Sequence, residues 1–285
     1  SKNIIKKNFS LGLITIIVLF DLCNINMKYV NEENFTRASK VKTPFTINEI
    51  DNEILKDDSH FRVYEAYRGF VNGRSSYFHN SISGYHAAKP KRMQDLYDFY
   101  LSKNKFNVLN MLNVKYIVDL KGGNSLSLNI NDKNLGDAWF IENIVQVENA
   151  NDEILFLDKL NYSEECLSKD LQSKSYRNDP NSSVELISRK SNELIYKVST
   201  KSEGFIVFSE AFYSKGWKSF INEKAVDHHK VNYLLRGMEV PKGEYNIRFE
   251  FNPDVIRQGS AIMLSFNFIL LILIGFYFKG KLKNV

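Results

Sequence analysis

Residues 75–100 read SSYFHNSISGYHAAKPKRMQDLYDFY, and Tyr77, His79, Tyr85, His86, Lys89, Arg92 and Asp95 fall within fewer than 20 positions of it. Sugar sites call for this mixture: flat apolar faces for the ring, with donors and acceptors for hydroxyls or phosphates. Gly84 would let the backbone turn sharply among them. Tyr77, His79, Gly84, Tyr85, His86, Lys89 and Arg92 are therefore the candidate contacts for a glycan or its donor. The competing reading is a loop packed by its own aromatics, with a histidine satisfied internally.

A second cluster, FSEAFYSKGWKSFINEK (residues 208–224), sets Glu210, Tyr213, Trp217 and Lys218 around a strand–turn–strand. Here Trp217 and Tyr213 read as sandwich core in preference to a ligand platform. The neighbouring VNYLLRG holds Asn232, Tyr233 and Arg236. As a strand, it places Asn232 and Leu234 on one face and Tyr233 and Leu235 on the other. His228 and His229 are adjacent; on a strand they point to opposite faces, cannot share one metal ion, and read as a polar strand edge. No P-loop, G-x-S-x-G or dinucleotide fingerprint occurs, and Gly122-Gly123 is a lone turn signal. No catalytic, metal or cofactor-binding residue is assigned.

Several elements must carry these clusters. INEIDNEILK reads as a short amphipathic helix and His60–Ala66 as a strand. Tyr67–Lys91 reads as irregular, with its glycines and Pro90. Met93, Leu96, Tyr97 and Tyr100 share one helical face, and Phe106, Leu109 and Leu112 mark a second short helix. Val114–Leu120 and Ala138–Glu148 read as strands, and NDEILFLDKL as a helix capped by Asn151 or Asp152. Beyond Pro180, Val184–Arg189, Leu194–Thr200, Phe205–Glu210, Trp217–Asn222, Lys230–Leu235 and Tyr245–Phe251 alternate with turn signals. That spacing predicts an antiparallel β-sandwich. The expected division is an α+β unit over 59–165, a linker at 166–182 and the sandwich at 183–254.

The flanks predict where this body lives. Gly259–Phe278 contains no charged residue and is followed by Lys279, Lys281 and Lys283. About 20 apolar residues suffice for a helix to cross a bilayer, with basic residues marking the cytoplasmic end. At the other end, Phe9–Phe20 follows Lys2, Lys6 and Lys7. With Ile4 and Ile5 before it and Leu22, Cys23 and Ile25 after, residues 4–27 can span if the lysines snorkel and Asp21 sits at the outer headgroups. A signal-like anchor is the alternative, although no small-x-small cleavage site follows. The net charge of +5 lies wholly in these two flanks, leaving residues 28–258 neutral. A nucleic-acid partner is thereby not the simple reading. The prediction is an extracytoplasmic body joined by a connector (28–58) and anchored at both ends in a bilayer. Its one cysteine, Cys166, excludes internal disulfide stapling, since Cys23 lies at the membrane edge.

Taken in order, NEENF, RVYE, SSYFHNSISGYHAAKPKRMQDLYDFY, NVLNMLNVKYIV, DAWFIENIVQVEN, VFSEAFYSKGWKSFINEK and VNYLLRGMEVPKGEYNIRFEFNP resemble the C-terminal end of the YfhO family of bacterial membrane proteins. That family is polytopic and similar to the GT-C glycosyltransferases, which move a sugar from a polyprenyl-phosphate donor to an acceptor outside the cytoplasm. The resemblance implies the bacterial cytoplasmic (inner) membrane and a role in transfer to an envelope glycan or polymer. It places the catalytic carboxylate in a first outer loop, upstream of Ser1, so no catalytic residue is carried over. No cofactor is evident, and a divalent metal would belong to that upstream membrane part. The rival expectation is a non-catalytic, membrane-anchored scaffold or glycan-binding ectodomain.

Overall fold

In the helix α1 (Lys7–Tyr29) nothing but Asp21 and Lys28 interrupts an uncharged run from Asn8, and none of the run from Phe9 onward is buried against protein. The computed structural model describes residues 7–122, 125–177 and 179–282. Lys2, Ile4, Ile5, Lys6, Gly123 and Lys283, used in the sequence reading, lie outside them. The chain divides into two compact units, one up to Asn48 and one from Glu49. The first holds α1, a 3-10 turn (Glu32–Asn34) and α2 (Ala38–Lys42). Asn31 and Asn34 close the turn reciprocally: the Asn31 side chain accepts from Glu33 N–H, and the Asn34 side chain accepts from Asn31 N–H.

The second unit starts with α3 (Glu49–Ile54), β1 (Arg62–Glu65), α4 (Arg74–Phe78), α5 (Lys91–Phe99) and a 3-10 segment (Phe106–Leu112). It continues with β2 (Val114–Lys121), β3 (Ser125–Ile130), β4 (Ala138–Ile141), β5 (Asn143–Gln146) and α6 (Ala150–Phe156). Then come β6 (Glu165–Ser168), β7 (Lys174–Ser175), β8 (Ser183–Lys190), β9 (Glu193–Thr200), β10 (Gly204–Ala211), β11 (Trp217–Ile221), β12 (Lys224–Ala225), β13 (His229–Val231), β14 (Leu235–Val240) and β15 (Gly243–Phe251). The closing helix α7 (Asp254–Leu282) exceeds the predicted span at both ends. Its segment Asp254–Phe276 and the Phe9–Tyr29 part of α1 are each long and apolar enough to cross a membrane.

The sandwich forms as expected, but with a borrowed strand. One sheet has the order β13-β14-β10-β4, the other β12-β11-β15-β9-β8. β4, from the first half of the chain, pairs antiparallel with β10, Trp139 lying opposite Val207. β10 reads as a continuous apolar run because both its faces are covered. Ile206 and Phe208 enter the sandwich core with Tyr196, Met238 and Phe249. Phe205 and Val207 enter a second core that also takes Leu96, Leu109, Trp139 and Ile154. Each such side chain contributes about 1.5–3 kcal/mol by leaving water. A three-stranded sheet, β1-β2-β3, carries Arg62–Glu65 beside the loop of interest, and another, β6-β5-β7, lies beside β13.

Several local expectations are corrected. Ala138–Glu148 is two strands in different sheets, broken at Glu142. α6 is capped by Asn149, whose side chain accepts from the N–H groups of Asn151 and Asp152. Lys230–Leu235 is not one strand: Asn232 (φ 49°) and Tyr233 (φ 68°) form a left-handed turn between β13 and β14. Tyr213 is not core but 53% exposed, whereas Trp217 does pack against the sandwich core.

Candidate functional site

The loop richest in sugar-compatible side chains uses most of its polar groups internally. Arg74, on α4, is held between two buried carboxylates: Nη1 donates to Glu65 at 2.6 Å, and both Nη atoms donate to Asp51 on α3. His79, which ends α4, meets the same Asp51 through Nε2 at 3.1 Å. Arg68 adds a second guanidinium 3.5 Å from Glu65. Glu65 thus faces guanidinium charge from both arginines and Asp51 from Arg74, which is the condition for burying them.

The remaining candidates separate. Gly84 N–H donates to the Phe70 carbonyl at 3.0 Å. Lys89 Nζ donates to the same carbonyl at 3.3 Å and sits 3.9 Å over the Phe70 ring, and burial pushes its ammonium pKa down. Tyr85 is 83% exposed and His86 is exposed, its Nδ1 accepting from Ala88 N–H. Tyr77 and His79 line a cleft of about 460 Å³ with Asp57, Ser59 and Phe61. The structure therefore brings Tyr77 and His79 together, and Gly84 with Lys89, but not the full predicted set.

Arg92 has left the loop altogether. Its Nη1 donates to the Tyr233 carbonyl at 2.7 Å, and its guanidinium lies 4.3 Å over the Tyr233 ring. Asp95, one turn along α5, accepts from the Tyr233 hydroxyl at 2.7 Å. Tyr233 N–H donates to Glu153, a fully buried carboxylate whose pKa is raised by desolvation. Beside it, Asn232 copies a strand: its N–H donates to Leu167 O and its side-chain oxygen accepts from Leu167 N–H, both at 2.8 Å. The turn is thus the clamp between the helical part and the sandwich, made by residues the sequence reading had set on a plain strand.

The far end of the sandwich keeps polar atoms without partners. Register puts Arg236 opposite Phe208, on the face of Met238 and Val240, hence inside the sandwich. It is 2% exposed; Nε donates to the Ala211 carbonyl, and Nη1 has no partner among the described residues. The guanidinium lies 4.1 Å over the Trp217 ring, and desolvation pulls its pKa down to about 10. Ser219 Oγ donates to the Val226 carbonyl at 2.5 Å, so its lone pair must accept from His228 Nδ1–H at 2.8 Å. That fixes the tautomer and leaves His228 Nε2 as a buried acceptor without a partner among the described residues. Desolvation, with the nearby Arg236 charge, drops the His228 pKa to about 4. His228 and Trp217 line a cleft of about 440 Å³ with Phe212, Lys218, Phe220 and Asp227. The readable signal was the alternation Arg236, Met238, Val240, which points a cation inward.

This end adjoins α7. Asn252 N–H donates to Gly216 O at 2.8 Å, Trp217 and Phe251 pack with ring centres 5.4 Å apart, and Lys218 pairs with Asp254 at 3.2 Å. Gly216 is required there, since a Cβ would stand 2.2 Å from the Phe251 ring. Residues 165–263, from β6 into α7, match the family model of the bacterial membrane protein YfhO. No curated protein and no solved structure matches the chain.

Proposed function

We propose that this chain belongs to a YfhO-like bacterial membrane protein and that residues ~28–258 form an extracytoplasmic body on the bacterial cytoplasmic (inner) membrane. Its role is to assist transfer of a sugar from a polyprenyl-phosphate donor to an envelope glycan or polymer. The observation that carries this reading is the match over residues 165–263, which runs from β6 through β15 into the start of α7 as one block. Two helices with apolar, unburied surfaces and lysine-bearing outer ends support anchoring in lipid with those ends in the cytoplasm. The catalytic acid belongs to a part of the protein outside this chain; this body binds and positions. Tyr85 and His86 are the loop residues free to meet an acceptor.

The test is transfer by the full-length protein in membranes. Tyr85→Ala with His86→Ala lowers transfer while leaving the melting temperature unchanged; undiminished transfer removes the loop from the reading. Orientation is checked separately. A cysteine replacing exposed Tyr213 reacts with a membrane-impermeant maleimide in intact spheroplasts, and labelling only after lysis sinks the outside placement.

A scaffold reading is favoured by one observation: His79 and Arg92 are both engaged in internal contacts. In that case the loop alanines change neither transfer nor glycan binding, and only substitutions in the clamp act, through stability.

A further inference from the structure

We propose that the cleft at the foot of α7 binds the sugar of a membrane-anchored saccharide, with Trp217 as the platform and His228 as the hydroxyl acceptor. The proposal rests on the sugar-transfer reading for the origin of the ligand, and on the cleft itself for its chemistry.

Four features select a sugar. The cleft's volume, about 440 Å³, lies in the range of small-molecule sites. Its wall mixes the flat faces of Trp217, Phe212 and Phe220 with Lys218, Asp227 and His228. Lys218 and Asp227 offset one another, and Asp254 already stands 3.2 Å from Lys218, so a phosphate would meet two carboxylates beside one ammonium. A neutral ligand with both donors and acceptors fits better. The buried Arg236 guanidinium lies over one face of the Trp217 ring and Phe251 packs against it at a 54° tilt, so little ordering remains to be done when a sugar ring stacks on the other face.

The histidine supplies direction. The Ser219 contact holds the proton on Nδ1, which leaves Nε2 a pure acceptor. The oxygens of a phosphodiester have nothing to donate to that atom; a sugar hydroxyl does. The buried Arg236 Nη1, also without a partner, offers a donor in the same aromatic end of the sandwich. Location selects a lipid-borne ligand: α7 begins two residues after Asn252, which is hydrogen-bonded to Gly216 next to Trp217. At that depth an anchored headgroup is held at high effective concentration.

The experiment uses the full chain in phosphatidylcholine nanodiscs, titrated with vesicles of phosphatidylcholine carrying glucosyl-diacylglycerol. Parallel titrations use phosphatidylglycerol vesicles and free methyl glucoside. Trp217 emission is the readout, with Trp217→Phe giving the Trp139 background, since the chain has 2 tryptophans. The expected result is an emission change with the glycolipid, much weaker with the free glucoside and absent with phosphatidylglycerol. His228→Leu weakens it about tenfold, one hydrogen bond's worth, while His228→Gln, which keeps an acceptor, restores most of it. Thermal unfolding of each variant separates lost binding from lost fold. No response to glycolipid, an equal response to phosphatidylglycerol, or indifference to His228→Leu overturns the proposal. Binding is read without any transfer. A protein that binds glycolipid here but transfers nothing overturns the transfer reading alone; one that transfers sugar while Trp217 stays silent overturns this one alone.

Discussion

Two regions hold the same kinds of side chain and use them in opposite ways. The 67–91 loop carries tyrosines, histidines, lysines and arginines, and its histidine His79 and arginines Arg74 and Arg68 are tied into a buried ion-pair network with Asp51 and Glu65. The β10–β11 end of the sandwich carries a histidine, an arginine and a tryptophan inside an apolar frame, and there Nε2 of His228 and Nη1 of Arg236 have no hydrogen-bond partner among the described residues. Side-chain type states what chemistry a segment can do. Whether that capacity is free depends on neighbours distant in sequence, such as Asp51 for Arg74 and Ser219 for His228.

The contrast is broken most severely at Arg74. Arg74→Met leaves Asp51 and Glu65 as buried carboxylates without their main partner, and removing one side of a buried ion pair costs about 3–5 kcal/mol. A urea midpoint close to wild type would mean that the network is no structural keystone. The clamp comes next. Asn232→Ala strips Leu167 N–H of its acceptor and puts alanine at φ 49°, together costing about 2–4 kcal/mol. Asn232→Gly, which relieves only the backbone, recovers part of that loss in the same urea titration. If alanine and glycine behave alike, the left-handed turn is not a source of the cost.

His228 adds a pH dependence with a definite sign. Its folded pKa of about 4 lies below the ordinary 6.5, because burial and the Arg236 charge oppose the imidazolium. Above pH 6.5 both folded and unfolded chains hold it neutral, so the full stability is present. As pH falls from 6.5 towards 4, the unfolded chain binds a proton that the fold refuses, and about 3 kcal/mol is lost. Urea midpoints across that range fall less steeply in His228→Gln than in wild type. Equal slopes would mean that the imidazole is not buried as a neutral group.

These tests also mark what the sequence could disclose. The sandwich was legible because Tyr196 and Val198 alternate with Lys197 and Ser199 in a β-rich run, and the Phe205–Phe208 run marks a strand covered on both faces. The two long apolar helices were legible from their uncharged runs and the lysines beside them. The Asn232–Tyr233 turn was not, because Val231-Asn232-Tyr233-Leu234 alternates as a strand does, and only the distant Leu167, Glu153, Asp95 and Arg92 make the left-handed backbone worthwhile. β3 was missed because its Ser–Leu alternation is weak, and β6 and β7 because they are short strands in a polar stretch. The candidate site was legible as composition in both clusters. Which cluster stays unsatisfied could not be read, since hydrogen-bond partners such as Asp51 and Ser219 are matched only by the fold.

The smallest expected effect sharpens the comparison furthest. Arg236→Met removes a cation that, unlike Arg74, has no carboxylate within ion-pair distance and no hydrogen-bond partner for Nη1 among the described residues, while Met fills similar volume beside Phe208 and Trp217. Burying a charge without full pairing is costly, and replacing it with a packed apolar chain is often neutral or favourable. Set against this is the loss of one hydrogen bond to the Ala211 carbonyl, worth about 1 kcal/mol. The two nearly offset, so Arg236→Met holds the wild-type urea midpoint to within about 1 kcal/mol. The same substitution that unfolds one region is then silent in the other. A loss as large as that of Arg74→Met would show that Arg236 is as fully engaged in the fold as the loop arginine, and the distinction between the two regions would disappear.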